Sequence, residues 1–429
     1  MSTHLLGIAK KAETDKAHRF RGLYGELNEE FLRECWWTLR RDAASGVDHL
    51  TWADYHRDRD ENIPGLAKRL QEKRYRAKMI RRKWIPKGND TTKLRPLGIP
   101  AIEDKLVQKA AARILEAIYE PRFYRLNYGY RPKRGARDAV RFLTRKLQFG
   151  RYGWVVEADI RSFFDRIDHD WLIKMLERRI DDKTFLQLIR KWLKAGVLEE
   201  DGTVVHPETG SPQGGTISPV LSNIYLHHVL DEWFMKVFRE GCRGEAGLVR
   251  YADDFVAVFG TQADAVRFHR ELEGRMKKFG LELAAEKTRV ISFPRRKRAA
   301  SFEFLGFEFR WGVDKQGRPH LKRRTAPKKL RTAVQRVAAW CRENRHTEKK
   351  KFFALLKTKL SGHNAYYGVV GNIERLKSFT TQARWHAWRW LRRRNSHGKI
   401  SWEGFRESAK HFQIPPPRIT ERGWAHAGA

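Results

Sequence analysis

The spacing of hydrophobic positions changes several times along the chain, and each change marks an element. Residues 1–75 read as polar helices, with a turn at Gly46-Val47-Asp48 and a helix near Ile63–Lys73. Lys83–Pro100 alternates around Gly88-Asn89-Asp90, which predicts a hairpin of two short strands. Asp104–Tyr119 repeats on a helical period, with Leu106, Ala110, Ile114 and Ile118 on one face. Trp154–Ile160 has period two, placing Val155, Glu157 and Asp159 on one face and Val156, Ala158 and Ile160 on the other. His169–Ile180 and Lys183–Lys194 are helical, and Asp181-Asp182 suits a helix start. Ser211–Ser218 is a Gly-rich loop. Pro219 then fits the first turn of a helix over Val220–Phe238, whose stripe is Leu226, Leu230, Trp233 and Val237.

Further along, Leu248–Phe259 is apolar on both sides of Asp253-Asp254, so it reads as a hairpin with both aspartates at its turn. Ala263–Phe279 is a helix, and Phe302–Phe309 alternates as a hairpin strand. Pro327–Arg394 is helical throughout, with Trp385, Trp388 and Leu391 as a stripe near its end. Helices mixed with antiparallel hairpins, then helices alone, predict an α+β core followed by an α-helical domain. No internal repeat is present.

Composition narrows the partner. The 429 residues carry 88 Lys and Arg against 51 Asp and Glu, a net charge of +37. Solubility of a small domain needs only ~2–8. A field of this sign and size points to a polyanion, either nucleic acid or an anionic membrane. The 41% hydrophobic and 12% aromatic content can build cores and excludes wholesale disorder, and the length suits two or three domains. No segment approaches the ~18 uncharged apolar residues of a spanning helix. Only Leu5, Leu6, Ile8 and Ala9 precede Lys10 and Lys11, so no signal peptide is expected. Cys35, Cys242 and Cys341 are isolated, too few for a disulfide framework or a Cys-based zinc site. The expectations are a reducing, cytoplasmic setting, no membrane partner, and nucleic acid as ligand.

The charge is uneven. Residues 291–429 hold 33 basic and 9 acidic side chains, against 55 and 42 in residues 1–290. The composition shifts near Pro294–Arg298.

Three acids stand out against this basic background. Asp159 ends an apolar strand, and Asp253 and Asp254 sit inside an apolar hairpin. Carboxylates in such places are costly unless a cation satisfies them. Mg²⁺ prefers oxygen ligands, commonly one or two carboxylates plus phosphates. Two such ions ~3.5–4 Å apart clamp the attacking and leaving oxygens of a phosphoryl transfer.

Tyr251-Ala252-Asp253-Asp254, with Asp159 upstream in Ala158-Asp159-Ile160-Arg161-Ser162-Phe163-Phe164-Asp165, resembles the catalytic core of reverse transcriptases, and more specifically the group II intron reverse transcriptase/maturase family. Arg95-Pro96-Leu97-Gly98-Ile99-Pro100 is similar to its fingers motif, and Ser211–Pro219 to its nucleotide-pocket loop. Gly280–Leu283 through Glu286-Lys287-Thr288 resembles the next motif, and Phe304-Leu305-Gly306-Phe307 the primer-gripping hairpin. The motifs run in the family's order over roughly residues 40–310.

The resemblance implies a right-hand polymerase fold: an N-terminal extension (1–75), fingers and palm (76–310), an α-helical thumb/maturase domain (311–400) and a basic tail (401–429). It implies an RNA-directed DNA polymerase that uses two Mg²⁺ ions, with Mn²⁺ as a substitute, to copy an RNA template from a DNA primer with deoxynucleoside triphosphates. Asp159 and Asp253 are then ligands of both ions, Asp254 supports the second ion or the primer end, and Ile160 belongs to the same metal site. Phe164 is the implied steric gate against a 2′-hydroxyl, with Arg161, Ser162 and Phe163 beside it. Lys87 and Arg95 meet the triphosphate, as point charge and as fork. Gln213 lies against base and ribose, where Gly214 and Gly215 permit close approach. Lys287 sits near the leaving pyrophosphate. Phe304, Leu305 and Gly306 grip the primer.

The basic clusters Arg295, Arg296, Lys297, Arg298 and Arg323, Arg324, Lys328, Lys329 are expected to track phosphates. The resemblance further implies intron RNA as a partner in splicing. Ser361–Gly368 matches the family only loosely there, which leaves two alternatives open. One is a free-standing reverse transcriptase in defence or DNA repair; the other is an RNA-binding splicing cofactor. With no Cys pair before Ala429, no HNH endonuclease domain and no structural zinc are expected.

Overall fold

A computed structural model describes residues 3–87, 90–296, 299–314, 316–394 and 400–421. The chain divides into two compact units, Met1–Ala139 with Val155–Val290, and Val140–Trp154 with Ile291–Ala429. The division at Val290 comes before the expected 310. Eleven strands lie among the described residues: β1 (Ile80–Lys87), β2 (Asp90–Ile99), β3 (Trp154–Ala158), β4 (Val197–Leu198), β5 (Val204–Val205), β6 (Ala246–Tyr251), β7 (Asp254–Phe259), β8 (Arg289–Ser292), β9 (Ser301–Phe304), β10 (Phe307–Val313) and β11 (Pro319–Thr325).

In the first unit, the N-terminal residues form helices Thr3–Thr14, Glu29–Trp36, Trp52–Arg57 and Arg59–Gln71. Two start on side-chain caps, Asn28 accepting from Phe31 N and Thr51 closing a capping box with Asp54. Helix Ile102–Tyr119 is buried on more than its predicted face: Val107, Ala111 and Leu115 are as enclosed as Leu106, Ala110 and Ile114. A helix with most of its residues buried, the polar Asp104 and Gln108 among them, is a central one.

β1 and β2 form the expected antiparallel hairpin, in a sheet of order β2-β1-β4-β5. The second sheet has the order β6-β7-β3-β8, with β6 and β7 antiparallel. Helices His169–Glu177, Lys183–Leu193 and Gln262–Lys278 follow the sequence expectation, and Asp182 caps Phe185 N. The expected helix over 220–238 differs. It is α-helical only over Ser218–Leu226, and His227–Asp231 and Phe234–Phe238 are π-helical. Its carbonyls find another donor, for Arg275 gives hydrogen bonds to His228 O (3.1 Å) and Val229 O (2.9 Å).

The second unit has an antiparallel β9-β10-β11 sheet, most of helix Ala136–Phe149, and, among the described residues, the helices Pro327–Glu343, Lys349–Tyr367, Ile373–Arg392 and Trp402–His411. Phe352, Phe353, Leu356, Leu360 and Phe405 centre their core. Helix Ile373–Arg392 buries Phe379, Ala383, Ala387 and Leu391, so the expected stripe through Trp385 and Trp388 is displaced. Trp385 is exposed beneath Arg389, while Trp388 is half-buried and donates to Ile400 O. The residues expected as a separate tail pack here too: Thr420 N donates to Gly368 O and Asn364 Nδ2 to Pro416 O. Among the described residues no helix is long and apolar enough to cross a membrane.

Candidate active site

Asp159 follows β3, and Asp253 with Asp254 lies at the turn into β7. β3 and β7 are hydrogen-bonded neighbours, so adjacent strands of one sheet carry the three acids at their ends.

The backbone around Asp159 is held by residues 282–284. Ala284 N donates to Asp159 O (2.8 Å), Ile160 bridges Leu283, and Arg161 N donates to Glu282 O (2.8 Å). This strip leads into a short 3-10 turn that ends on Lys287, whose Nζ lies 2.5 Å from Asp159 Oδ2. The contact with Asp159 raises the Lys287 pKa, so the amine stays charged. Arg161 is engaged by Glu282 (2.9 Å) and Glu286 (3.2 Å), which ties it to the same strip. Ser162 has φ +47° and turns the chain into the 3-10 segment Phe163–Arg166. Phe163 is buried, and Phe164, against it edge-on at 5.3 Å between ring centroids, is half-exposed. One of the adjacent rings packs inward and the other stays accessible.

The β6–β7 turn is Ala252-Asp253, and Tyr251 pairs with Asp254. Ala252 has φ +56°, the sign a type II′ hairpin needs at this position and one that Ala adopts only at a cost. Buried polar groups hold it there. Arg250 donates through Nη1 to Ala252 O (2.9 Å) and Asn223 Oδ1 (3.1 Å), and through Nε and Nη2 to the two oxygens of Asp231 (2.8 and 2.5 Å). Asn223 Nδ2 donates to Gly129 O (2.7 Å). A Cβ on Gly129 would stand 2.1 Å from Ala252 N, so only glycine allows this approach. The next residue, Tyr130, is half-exposed. Partial burial raises its phenol pKa, Asp253 and Tyr251 act the same way, and Arg95 opposes.

The fingers hairpin and the Gly-rich loop meet at Gly98, whose N donates to Gln213 O (2.6 Å). Gly214 has φ +110°, and a Cβ there would lie 2.5 Å from Gly98 O. Thr216 N donates to the buried Gln108 Oε1 (3.0 Å), which fixes the far end of the loop. Arg95 is exposed on β2 and Gln213 is half-buried. The side chain of Lys87, and all of Lys297 and Arg298, lie outside the described residues.

The remaining predicted residues belong to the second unit. Leu305 (φ +50°) and Gly306 (φ +79°) make the tight turn between β9 and β10, after the buried Phe304. Tyr366 donates to Leu305 O (3.0 Å). Arg295, Arg296, Lys328 and Lys329 are exposed, and Arg324 is half-buried. Arg323 departs from its expected role as a phosphate contact. It is buried, with both Nη atoms on the Glu421 carboxylate (2.8 and 2.9 Å). Arginine in an alternating strand points inward every second residue, and here the inward face found an acid.

The oxygen-only donor set of Asp159, Asp253 and Asp254 suits a hard divalent cation rather than a soft one. Lys287 supplies positive charge at Asp159. Among the described residues the group with ligand atoms within 4.8 Å of one another is His227, His228 and Glu232. Cations already serve that group: Arg178 and Lys236 lie 3.0 and 2.9 Å from Glu232.

Sequence reasoning missed Arg250, Asp231, Asn223, Gly129 and Tyr130. One signal was available, a lone arginine in the otherwise apolar run Leu248-Val249-Arg250. Its partner, nineteen residues away on another element, left no local trace.

A family model described as reverse transcriptase (RNA-dependent DNA polymerase) matches residues 85–309, just over half of the chain. The group II intron-encoded protein LtrA of Lactococcus lactis subsp. cremoris is 43% identical over 178 residues, 42% of this chain and 29% of that protein. Protein YkfC of Escherichia coli (strain K12) is 38% identical over 251 residues, 50% of this chain and 64% of that protein. The matches thus span less than two thirds of either relative's length. Among solved structures, telomerase from Candida albicans with a fragment of telomeric RNA aligns at a TM-score of 0.44 and 14% identity, over 85% of this chain and 68% of that one.

Proposed function

The chain belongs to the reverse transcriptase (RNA-dependent DNA polymerase) family, and from that membership we propose that it extends a DNA primer by copying RNA, in the service of a group II intron. The observation that carries the reading is the placing of Asp159, Asp253 and Asp254 at the ends of adjacent strands of one sheet. Similarity to a group II intron-encoded protein supports the intron setting, with intron RNA as a further partner and splicing as a further role. Three free cysteines, two of them buried, suit a cytoplasmic protein.

In the reaction the primer 3′-oxygen bonds to the α-phosphorus of a deoxynucleoside triphosphate, and the bond to pyrophosphate breaks. Asp159 and Asp253 would hold divalent cations, two Mg²⁺ ions in this reading, with Asp254 beside them. When bound, the ions neutralise charge at the attacking and leaving oxygens. Arg95 and Lys87 receive the triphosphate, and Gln213, fixed through its carbonyl to Gly98, receives base and sugar. Phe164 presents a ring where a 2′-hydroxyl would sit, which favours deoxynucleotides. Lys287 offers a charged amine beside Asp159, able to meet or protonate the pyrophosphate. Arg295, Arg296, Lys328 and Lys329 follow phosphates of the template–primer duplex.

The test is primer extension on an RNA template with Mg²⁺, comparing the wild type with Asp253→Asn. Loss of at least about a hundredfold in rate is expected, the scale of removing one preorganised electrostatic contact. Undiminished synthesis by the variant, or none by the wild type, would refute the reading. Splicing of the flanking RNA with and without the protein tests the intron role separately.

A further inference from the structure

We propose that Tyr130 is a stacking platform for a nucleobase at the reaction centre, a role that rests on reading the site as a polymerase centre. In the run Leu126–Arg131 every residue is buried except Tyr130, which is 48% exposed. Its ring has no hydrogen-bonding or ring partner among the described residues, so it adds little to the core.

The backbone that carries Tyr130 is clamped on both sides. Before it, Tyr128 N donates to Arg250 O (2.8 Å), Asn223 holds Gly129 O, and Gly129 lies flush against Ala252, the residue preceding Asp253. After it, Arg131 donates to both oxygens of Glu120 and to the carbonyls of Tyr124 and Asn127 (both 2.8 Å). Tyr130 itself has φ +54°. That conformation is unfavourable for a side-chain-bearing residue and suits glycine. Such an outlier persists where its surroundings over-determine it, and these outliers cluster at functional sites. The chain therefore keeps an aromatic ring, at a cost, in a rigid position beside the catalytic turn.

The chemistry of the ring selects its ligand. An uncharged aromatic face gives nothing to phosphate or to a metal ion beyond its hydroxyl, but it stacks on any base regardless of sequence. Two sources of that base are at hand, the end of the template–primer duplex and the incoming nucleotide, and the affinity and kinetic arms of the test separate them.

The full-length protein is compared with Tyr130→Ala, Tyr130→Gly and Tyr130→Phe. Three quantities are measured: single-nucleotide addition, the Kd for a DNA-primed RNA template without nucleotide, and the Tm. Ala and Gly are expected to lose roughly 5- to 150-fold in kcat/KM or in Kd, as about 1–3 kcal/mol of base stacking converts at 1.4 kcal/mol per tenfold. Phe, which keeps the ring, recovers most of that loss. Gly is expected to match or exceed the wild-type Tm, because it relieves the backbone, and so separates stacking from folding. A weaker Kd assigns the ring to the duplex end, and a higher nucleotide KM alone assigns it to the incoming base; either supports the proposal. Wild-type values of both in Tyr130→Ala overturn it, and so does a loss in Phe equal to that in Ala. If the wild type adds no nucleotide, the polymerase reading fails, and the Kd of Tyr130→Ala alone then decides whether a base stacks there.

Discussion

Arg250 and Asp231 form a two-pronged ion pair with neither side chain exposed, and the same guanidinium holds the carbonyl of Ala252, one residue from Asp253. A buried pair of this kind is rarely a net source of stability, but removing one partner strands the other charge in a poor solvent. Its value here is positional, since it fixes a turn with an unfavourable φ.

Asp231→Ala is therefore expected to cost about 3–5 kcal/mol of folding stability. Arg250→Lys should cost less stability but still lower the rate of synthesis, because an ammonium cannot reach Asp231, Asn223 and Ala252 O together. Denaturant titration alongside primer extension checks both. Wild-type activity in Arg250→Lys would remove the positional role.

Phe164 is half-exposed while Phe163 is buried against it, so only Phe164 can meet a sugar. Phe164→Ala should raise the ratio of ribonucleotide to deoxynucleotide incorporation by about 10- to 200-fold, the range a pocket gains or loses by steric fit. Competition between ATP and dATP on a poly-U template measures it. An unchanged ratio would make Phe164 a packing residue.

Two largely buried groups, one in each unit, should make opposite contributions to stability in acid. Burial raises the Asp104 pKa to about 6, even though Tyr75 and Lys78 N donate to it. Between the unfolded value near 3.9 and that figure the folded state binds more protons at Asp104, so the contribution of this group to stability falls as pH rises, by about 3 kcal/mol in all. His363 stacks on Phe379 at 3.6 Å between ring centroids, and burial lowers its pKa to about 4. There the unfolded state binds more protons between pH ~4 and 6.5, so the contribution of His363 to stability rises with pH by roughly 3 kcal/mol. Peptide-resolved hydrogen exchange across this window, corrected for intrinsic rates, isolates each contribution as the difference between wild type and variant. Asp104→Asn should remove the falling contribution from the first unit alone, and His363→Phe the rising one from the second alone.

Legibility in the sequence followed the range of the interactions. The β6–β7 hairpin was readable because two short apolar runs around an acidic turn are local signals. The helix after Pro219 was readable in its first turns and not where it widens, since what stabilises the π segments includes Arg275 from another helix. Trp385 and Arg323 went the other way. Residue type put the first in the core and the second on the surface, and packing reversed both.

Taken alone, the sequence determined the chemistry: three acids in apolar settings, an ordered set of motifs, and a surplus of cations in the last third of the chain. Those are properties of residue type and short-range spacing, which the chain carries before it folds. The tertiary structure alone decided how the site is held. Asp231 reaches Arg250, Gly129 meets Ala252, and Tyr130 is turned outward beside Asp253 because distant segments are brought within hydrogen-bond or contact distance. Contacts between segments so far apart in sequence leave no periodic trace, and only the packed chain contains them.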